Sequence, residues 1–418
     1  MTEQAPSGAV VRAARPDELP AVWELLVAAF GERVRERMRT QLFEDQGHHP
    51  GQSRVAELDG ALASYVRVSS RPINYGGAVL PMAGVGGVST HPAHQGRGLS
   101  SAVLRDCIAY MRGQGYPLSV LFTGIPGFYA RLGWVPFPQW SWRAPLTHHA
   151  GDGPPAGWES LAHVRPFEDQ RDLDPVQEVY TAYNTPRSFS VARHPAYWTD
   201  GHTRHLGILP TLVAEQEGRV VAYASARQRD RAYSVYEAAC LPGHERAFSA
   251  LAVAIMAQAR AAGATDIEAN LGLGHGLTAA LQEASGSPGT WTGDHYAMLL
   301  LLDLPGLLRA ALPTLQSRLT ARPRLHGKRA SYGLRVAGQY ARLAVRHGEV
   351  LADTKPARRA LNLPDDLFWR LFFGAASLHT LIEELATRSD TQLSAEDVAM
   401  LDALFPPQRP VYWWPDHF

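Results

Sequence analysis

Three stretches of this 418-residue chain bring together residue types suited to catalysis. The first is Gln95-Gly96-Arg97-Gly98. Before it, Val85, Val88 and Thr90 suit an extended segment, and His91-Pro92 ends that segment. After it, Leu99, Val103, Cys107 and Met111 recur every four residues, as on a helix. A glycine turn that opens a helix leaves first-turn N–H groups aimed at one point, which attracts a phosphate or pyrophosphate. Arg97 adds a charged donor. The same turn also fits an ordinary strand–loop–helix connection. The second stretch is Gly127-Phe-Tyr-Ala-Arg-Leu-Gly-Trp134, in which Tyr129 offers a phenol with an ordinary pKa of about 10. That phenol is either a proton donor or a core aromatic at a helix end. The third is the C-terminus, with Tyr412, Trp413, Trp414 and Phe418 close together. Such a tail packs into the protein. It carries into or beside a cleft an α-carboxylate whose ordinary pKa of about 3.3–3.7 keeps it ionised at neutral pH. The plainer alternative is that the aromatics only anchor the last segment.

Local patterns predict the elements that position these groups. Residues 11–15 suit a first strand. Leu19, Val22, Trp23, Leu26, Ala29 and Phe30 form one helical stripe, which continues into the basic run Arg33–Arg39. Val55–Tyr65 reads as a hairpin with Asp59-Gly60 at its turn. Gly86-Gly87 permits a bulge in the strand leading to the glycine loop. Leu118–Phe122 is an apolar strand. Thr147–Gly157, rich in His, Gly and Pro, reads as a linker. The hairpin then recurs 158 residues later as Val213-Ala-Glu-Gln-Glu-Gly-Arg-Val-Val-Ala-Tyr223. A strand at Tyr233–Tyr236, a helix through Phe248, Leu251, Ile255 and Ala259, and a strand near 266–269 follow in the earlier order. This implies a second copy of the first segment. In it the turn is Leu241-Pro-Gly-His-Glu-Arg-Ala247, which lacks the glycine pattern, and Glu245 repels phosphate. Met298–Leu302 is an apolar strand. A third segment opens with a helix at Leu307–Leu319 and continues through strands near 332–336, 340–345 and 349–352. Asp365 and Asp366 are placed to cap a helix carrying Leu367–Phe372, and Ser394 to cap another.

Composition sets outer bounds. The length implies two or three domains. With 45% apolar and 19% charged residues the chain is expected to fold as a soluble protein. The 40 basic and 40 acidic residues cancel, so no overall charge argues for nucleic acid or an anionic membrane as partner. Cys107 and Cys240 give no disulfide framework or metal cluster, and Cys107 reads as a small buried hydrophobe. The N-terminus has no signal-peptide pattern and no stretch approaches a spanning helix, so the expected location is cytoplasmic.

The Gln-x-x-Gly-x-Gly loop, the strand after its helix and the Phe-Tyr-x-x-x-Gly-Trp segment together resemble the GNAT N-acetyltransferase superfamily. There, Gln/Arg-x-x-Gly-x-Gly/Ala holds the pyrophosphate of acetyl-CoA. Ser100 stands where that motif usually has Gly or Ala. The wider arrangement, two such segments, an α+β third segment and a Trp-Pro-Asp-x-Phe end, resembles the Eis (enhanced intracellular survival) acetyltransferases over essentially the whole chain. The resemblance implies a mixed α/β and α+β chain: two tandem GNAT folds, at 1–146 and 158–303, and a sterol-carrier-protein-like domain at 304–418. It implies that Val88, Thr90, Gln95, Gly96, Arg97, Gly98, Leu99 and Ser100 bind acetyl-CoA. It makes Tyr129 the general acid, through the family pattern Tyr-x-Arg-Phe-Gly-Tyr, and the carboxylate of Phe418 the general base. Two arginines of the family's Arg-Arg-Arg-Gly turn are replaced by Gln95 and Gly96. The acceptor implied is a small-molecule amine, of aminoglycoside or polyamine type, or lysine. Backbone N–H groups near Gly87 would polarise the thioester, and Glu32, Glu36 and Asp416, with Glu44 and Asp45, would meet a cationic acceptor. No metal is implied, and a homohexamer is. A non-enzymatic lipid or acyl-CoA carrier built on the third segment is the alternative.

Overall fold

The computed structural model describes residues 8–45, 47–146, 157–199 and 209–418. The expected linker, apart from Gly157, lies outside the described residues. In chain order the first strands are β1 (Ala9–Ala13), β2 (Ser53–Leu58), β3 (Ala61–Ser70), β4 (Ile73–Tyr75), β5 (Ala78–Leu80), β6 (Met82–Thr90), β7 (Leu118–Phe122), β8 (Val135–Pro136) and β9 (Gln139–Pro145). Among them lie helices α1 (Leu19–Phe30), α2 (Arg35–Phe43), α3 (Leu99–Gly113) and α4 (Pro126–Ala130). Next come β10 (His163–Pro166), α5 (Asp169–Asn184), β11 (Ser188–Val191), α6 (Ala196–Thr199), β12 (Thr211–Gln216), β13 (Arg219–Arg229) and β14 (Ala232–Cys240). They are followed by α7 (Ala247–Ala261), β15 (Asp266–Ala269), α8 (Gly276–Ser285), β16 (Thr290–Asp294) and β17 (Ala297–Leu301). The last part holds α9 (Leu304–Thr320), β18 (Ala330–Val336), β19 (Gln339–Arg346), β20 (Glu349–Asp353), β21 (Arg359–Asn362), α10 (Asp365–Phe372), α11 (Leu378–Arg388) and α12 (Ala395–Leu404).

The two hairpins that echo in sequence also match in geometry. Asp59 and Gly60, and again Glu217 and Gly218, take positive φ at their turns, which suits the right-handed twist of the flanking strands. Both hairpins slip register at the same place, Ala56/Glu57 in one and Ala214/Glu215 in the other. The basic run does not simply extend α1. Gly31 at φ 87° ends that helix, a short 3-10 turn follows, and α2 is a separate helix. Asp365 does not cap α10; its carboxylate accepts the Ala337 N–H at 2.9 Å, and Pro364 precedes the helix. Ser394 does cap α12, in a box with Asp397.

Two seven-stranded sheets dominate. The first runs β1-β2-β3-β6-β7-β17-β8 and the second β10-β12-β13-β14-β15-β9-β16. Each takes one strand from the other's stretch of chain. β17 lies between β7 and β8, and β9 lies between β15 and β16. Thus Met298–Leu301, expected with the second segment, closes the first sheet, and Ala297, Met298 and Leu299 have no exposed surface there. The third part packs a four-stranded sheet, β20-β19-β18-β21, against α9, and α10 to α12 share its apolar core. Its apolar core is continuous with Tyr75, Phe137, Phe189 and Tyr412 of the earlier parts.

The exchange makes each sheet depend on both halves of the chain. A fragment ending at residue 146 lacks the strand between β7 and β8. It is expected to be insoluble or to melt without a cooperative transition by calorimetry. A cooperative melt of that fragment would show the exchanged strand to be dispensable.

Candidate active site

The site forms where β6 and β7 part. They pair in parallel from Met82 with Leu118 to Val85 with Leu121, after which β6 continues to Thr90 without β7. On its other side β6 slips register against β3 between Tyr65 and Arg67, so Gly87 and Val88 together face Val66. Gly87 takes φ 60°, and a Cβ there would stand 3.2 Å from the Tyr65 ring. This is the bulge that the glycine pair permits. It turns the strand away from β7 and opens a wedge in the sheet.

At the end of β6 the loop reaches α3 through Gly96 and Gly98, at φ 74° and 76°. A Cβ on either would meet only open space, so backbone conformation rather than crowding demands glycine there. The first helical hydrogen bond runs from Ala102 N–H to the Gly98 carbonyl at 3.1 Å. The N–H groups of Leu99, Ser100 and Ser101 therefore have no acceptor within the helix. Gln95, Gly96, Arg97 and Gly98 are exposed. Ser100 in the sixth motif position turns its hydroxyl inward, 2.5 Å from Thr90 Oγ1. The loop thus has the donors and open space that a pyrophosphate requires, and the residues fit acetyl-CoA.

Tyr129 projects from α4, 7% exposed, with Phe128 and Trp134 meeting it edge-on. Burial pushes its phenol up to about 12. The group keeps its proton throughout the physiological range.

The end of the chain enters the wedge. The Phe418 ring lies over Gly84, and its terminal carboxyl carbon and oxygen lie 3.0 Å from where a Cβ on Gly86 would stand. Ahead of it, His417 stacks on Phe122 at the end of β7, with ring centroids 3.6 Å apart. Asp416 is buried. Its carboxylate accepts from Arg193 Nε at 2.7 Å and Nη2 at 3.1 Å, and Arg193 also pairs with Glu237. Tyr223 donates to the same Glu237, and the guanidinium lies over Tyr180 and Trp198. Burial raises the Asp416 carboxyl while Arg193 opposes that shift.

The second sheet has a wedge of its own, and it is filled. β14 and β15 pair from Ala232–Val235 with Asp266–Ala269, and β14 then runs on to Cys240. His275 Nδ1 accepts from Leu277 N–H, which leaves Nε2 to donate to the Ala238 carbonyl at 3.2 Å. Trp413 packs edge-on against that ring and donates to Asn184 Oδ1 at 2.9 Å. In the loop before α7, Glu245 accepts the Gly243 N–H at 3.1 Å, so the protein's own carboxylate sits where the first loop is open to an anion.

The acidic residues expected around the acceptor are differently employed. Glu32 and Glu36 are exposed on the α2 side and pair with Arg35 and Arg39 three residues on, which lowers their carboxyls. Glu44 also pairs with Arg39, and Asp45 is buried against Arg67. Asp416, bound to Arg193, anchors the tail and is not free to receive an amine. Sequence reasoning missed Arg193, Glu237, Tyr180 and Gly84. Arg193, Glu237 and Tyr180 stand in no motif, and Arg193 and Asp416 are 223 residues apart; Gly84 sits in the glycine-rich run, where nothing in the sequence marks the ring that lies on it.

Residues 10–137 match the acetyltransferase (GNAT) domain family. An uncharacterised N-acetyltransferase of Streptomyces avermitilis is 26% identical over 223 residues, 52% of this chain and 54% of that protein. One from Streptomyces coelicolor is 27% identical over 229 residues. The chain spans about half the length of the curated relatives it matches. Among solved structures, a probable N-acyltransferase from Enterococcus faecalis superposes over 98% of this chain and all of its own, with TM-score 0.73 and 18% identity. Eis1 from Mycobacterium abscessus does so over 98% of this chain and all of its own, with TM-score 0.63 and 15% identity. The wedge, the loop and the matched residues thus define a GNAT acetyltransferase domain with a mixed α/β fold. The chain shares its fold with Eis1 over 98% of its length.

Two predictions concern the tail. Gly84→Ala puts a methyl group inside the Phe418 ring. It is expected to lower kcat/KM at least about tenfold, the scale of an overpacked core at about 1–3 kcal/mol, while Gly96→Ala should mainly raise the KM for acetyl-CoA. Equal effects in steady-state kinetics would separate the tail from the chemistry. His275 and His417 are held neutral by burial, each with its pKa lowered to about 3. An unfolded or undocked histidine takes up a proton below about 6.5. Their contribution to docking is therefore complete above that pH and is lost as pH falls towards 3. Tryptophan emission should shift to the red over that window before global unfolding, and an unchanged spectrum would contradict it.

Proposed function

We propose that the protein moves the acetyl group of acetyl-CoA directly to a primary amine. The single observation that carries this reading is the terminal carboxylate beside Gly86, in the wedge on the strand that leads to the exposed glycine loop. The loop N–H groups from Gln95 to Ser100, with Arg97, hold the pyrophosphate, and Val88 and Thr90 lie along the pantetheine arm. When bound, acetyl-CoA supplies an activated thioester. The bulge at Gly87 and Val88 turns backbone N–H groups towards its carbonyl, where negative charge develops in the transition state.

The amine nitrogen forms a bond to the carbonyl carbon as the carbon–sulfur bond breaks. The Phe418 carboxylate takes the proton that the amine must lose, directly or through water. Tyr129, which burial keeps protonated, donates to the departing sulfur. The finer architecture, tandem GNAT folds followed by a sterol-carrier-like part, belongs to the same reading and is supported by the matched hairpins. The filled second wedge favours a single site for acetyl-CoA and gives the second sheet the task of holding the tail. The acceptor class, aminoglycoside, polyamine or lysine, rests on the resemblance, as does a hexamer. The carrier alternative draws no support from the third part: the apolar cavity bounded by Leu334, Phe368 and Leu401 is about 10 Å³, roughly what one water needs.

Thiol release from acetyl-CoA with a panel of amines tests the assignment. Tyr129→Phe and a chain lacking Phe418 are each expected to lose about a hundredfold or more in kcat, with acetyl-CoA binding by calorimetry retained. Full turnover in both variants would remove the acid and base roles and leave the fold in place.

A further inference from the structure

At the end of β7 stands a polar side chain whose ring nitrogens the protein itself does not use. His417 lines a cavity of about 620 Å³ together with Phe122, Thr123, Gly124, Tyr412 and Trp414. Its ring lies on Phe122, with centroids 3.6 Å and planes 17° apart, which fixes its orientation. Phe122 also meets the Phe418 ring, at 5.7 Å. The cavity therefore adjoins the wedge at Phe122 and His417.

Neither nitrogen of the His417 ring has a hydrogen-bond partner among the described residues. His275, the buried histidine of the second wedge, differs: one nitrogen accepts the Leu277 N–H and the other donates to the Ala238 carbonyl. Thr123 and Gln139, which line the cavity with His417, are committed as well. Thr123 Oγ1 accepts the Ile125 N–H at 3.0 Å. Gln139 accepts the Tyr412 N–H at 3.3 Å and donates to the Pro138 carbonyl at 3.2 Å. Asp416, one residue back, is held by Arg193. Burial keeps the His417 ring neutral, and a neutral imidazole has one N–H and one bare nitrogen that accepts a hydrogen bond. The next residue carries the terminal carboxylate, and consecutive Cα atoms are about 3.8 Å apart. Two acceptors, one charged and one neutral, thus flank the junction of cavity and wedge.

We propose that the reacting amine is gripped at its nitrogen by His417 as well as by the terminal carboxylate, and that this pair selects a primary amine over a secondary one. The inference rests on the transferase reading and deepens it. A neutral primary amine has one lone pair and two N–H groups. The lone pair forms the bond to the carbonyl carbon as the carbon–sulfur bond breaks. One N–H proton passes to the Phe418 carboxylate. The other N–H is donated to the bare nitrogen of His417 and stays on the nitrogen of the product amide. A secondary amine has a single N–H. It gives that to the carboxylate, and its extra alkyl group faces an imidazole nitrogen left without a partner, which is costly in a buried site.

The test uses the thiol-release assay on the full chain with matched amines: Nα-acetyl-lysine amide and its Nε-methyl derivative, and cadaverine and N,N′-dimethylcadaverine, with an aminoglycoside as a third acceptor. His417→Phe keeps the stack on Phe122 and removes both nitrogens. His417→Gln returns an acceptor oxygen. Melting temperatures of both variants report on the fold. Wild type is expected to favour the primary amine of each pair. His417→Phe is expected to lower kcat/KM for primary amines and the aminoglycoside at least about tenfold, the scale of one hydrogen bond, to narrow the preference within each pair, and to leave the KM for acetyl-CoA unchanged. His417→Gln is expected to restore most of the loss. Equal use of the paired amines by wild type, wild-type kcat/KM in His417→Phe, or a loss that His417→Gln does not relieve overturns the proposal and leaves the transferase reading standing. No turnover of any amine by wild type overturns both.

Discussion

A single buried guanidinium fixes the end of this chain. Arg193 is shared between Asp416 and Glu237, with side-chain exposures of 6%, 2% and 3%. Removing such charges from water is costly, and their mutual attraction in the interior roughly offsets that cost. The cluster is thus weak evidence of added stability. Its effect is positional. Losing one member of a buried pair leaves an uncompensated charge and costs about 3–5 kcal/mol, so the tail has one register in which all three charges are satisfied. That register puts Phe418 two residues beyond Asp416, on Gly84 and Gly86. A terminal carboxylate has no side-chain rotamer to orient it, and here the orientation comes from the residues just before it.

The same constraint explains why two similar sheets do different work. Each has a parallel pair that separates partway. In the second, His275 and Trp413 close the wedge and Glu245 takes up a loop N–H. In the first, the loop is open and the wedge receives the last residue of the chain. The tail runs from one wedge to the other: Trp413 packs in the second and Phe418 in the first. The exchanged strands β9 and β17 tie the sheets together, so the distance between the wedges is set by hydrogen-bonded backbone and not by a linker.

What the sequence disclosed follows from how local the determinants were. The hairpins were legible because Asp59-Gly60 and Glu217-Gly218 take positive φ, which few residues accept. The bulge at Gly87 and the helix after Gly98 were legible for the same reason. The strand exchange was not. Met298–Leu301 has the same apolar pattern whichever sheet it joins, and pairing partners are chosen by contacts far along the chain. Glu32 and Glu36 look like site residues only while their neighbours are ignored; arginine three residues on in each case marks a helix-surface ion pair. Asp416 stands near Phe418 as its place in the chain requires, and its pairing with Arg193, 223 residues earlier, is not written in any local pattern.

The location of glycines carries the remaining distinction between a site and a core. Gly96 and Gly98 have open space around them and are required by backbone angle. Gly84 has ordinary backbone and is required because a ring lies on it. In sequence the three are indistinguishable, and all sit in one glycine-rich run. A loop that needs only the angle remains accessible to an outside anion. A strand that needs the space has already been claimed by the protein's own terminus. The terminal carboxylate and the open loop therefore stand at the two ends of a single strand, β6, with the bulge at Gly87 between them.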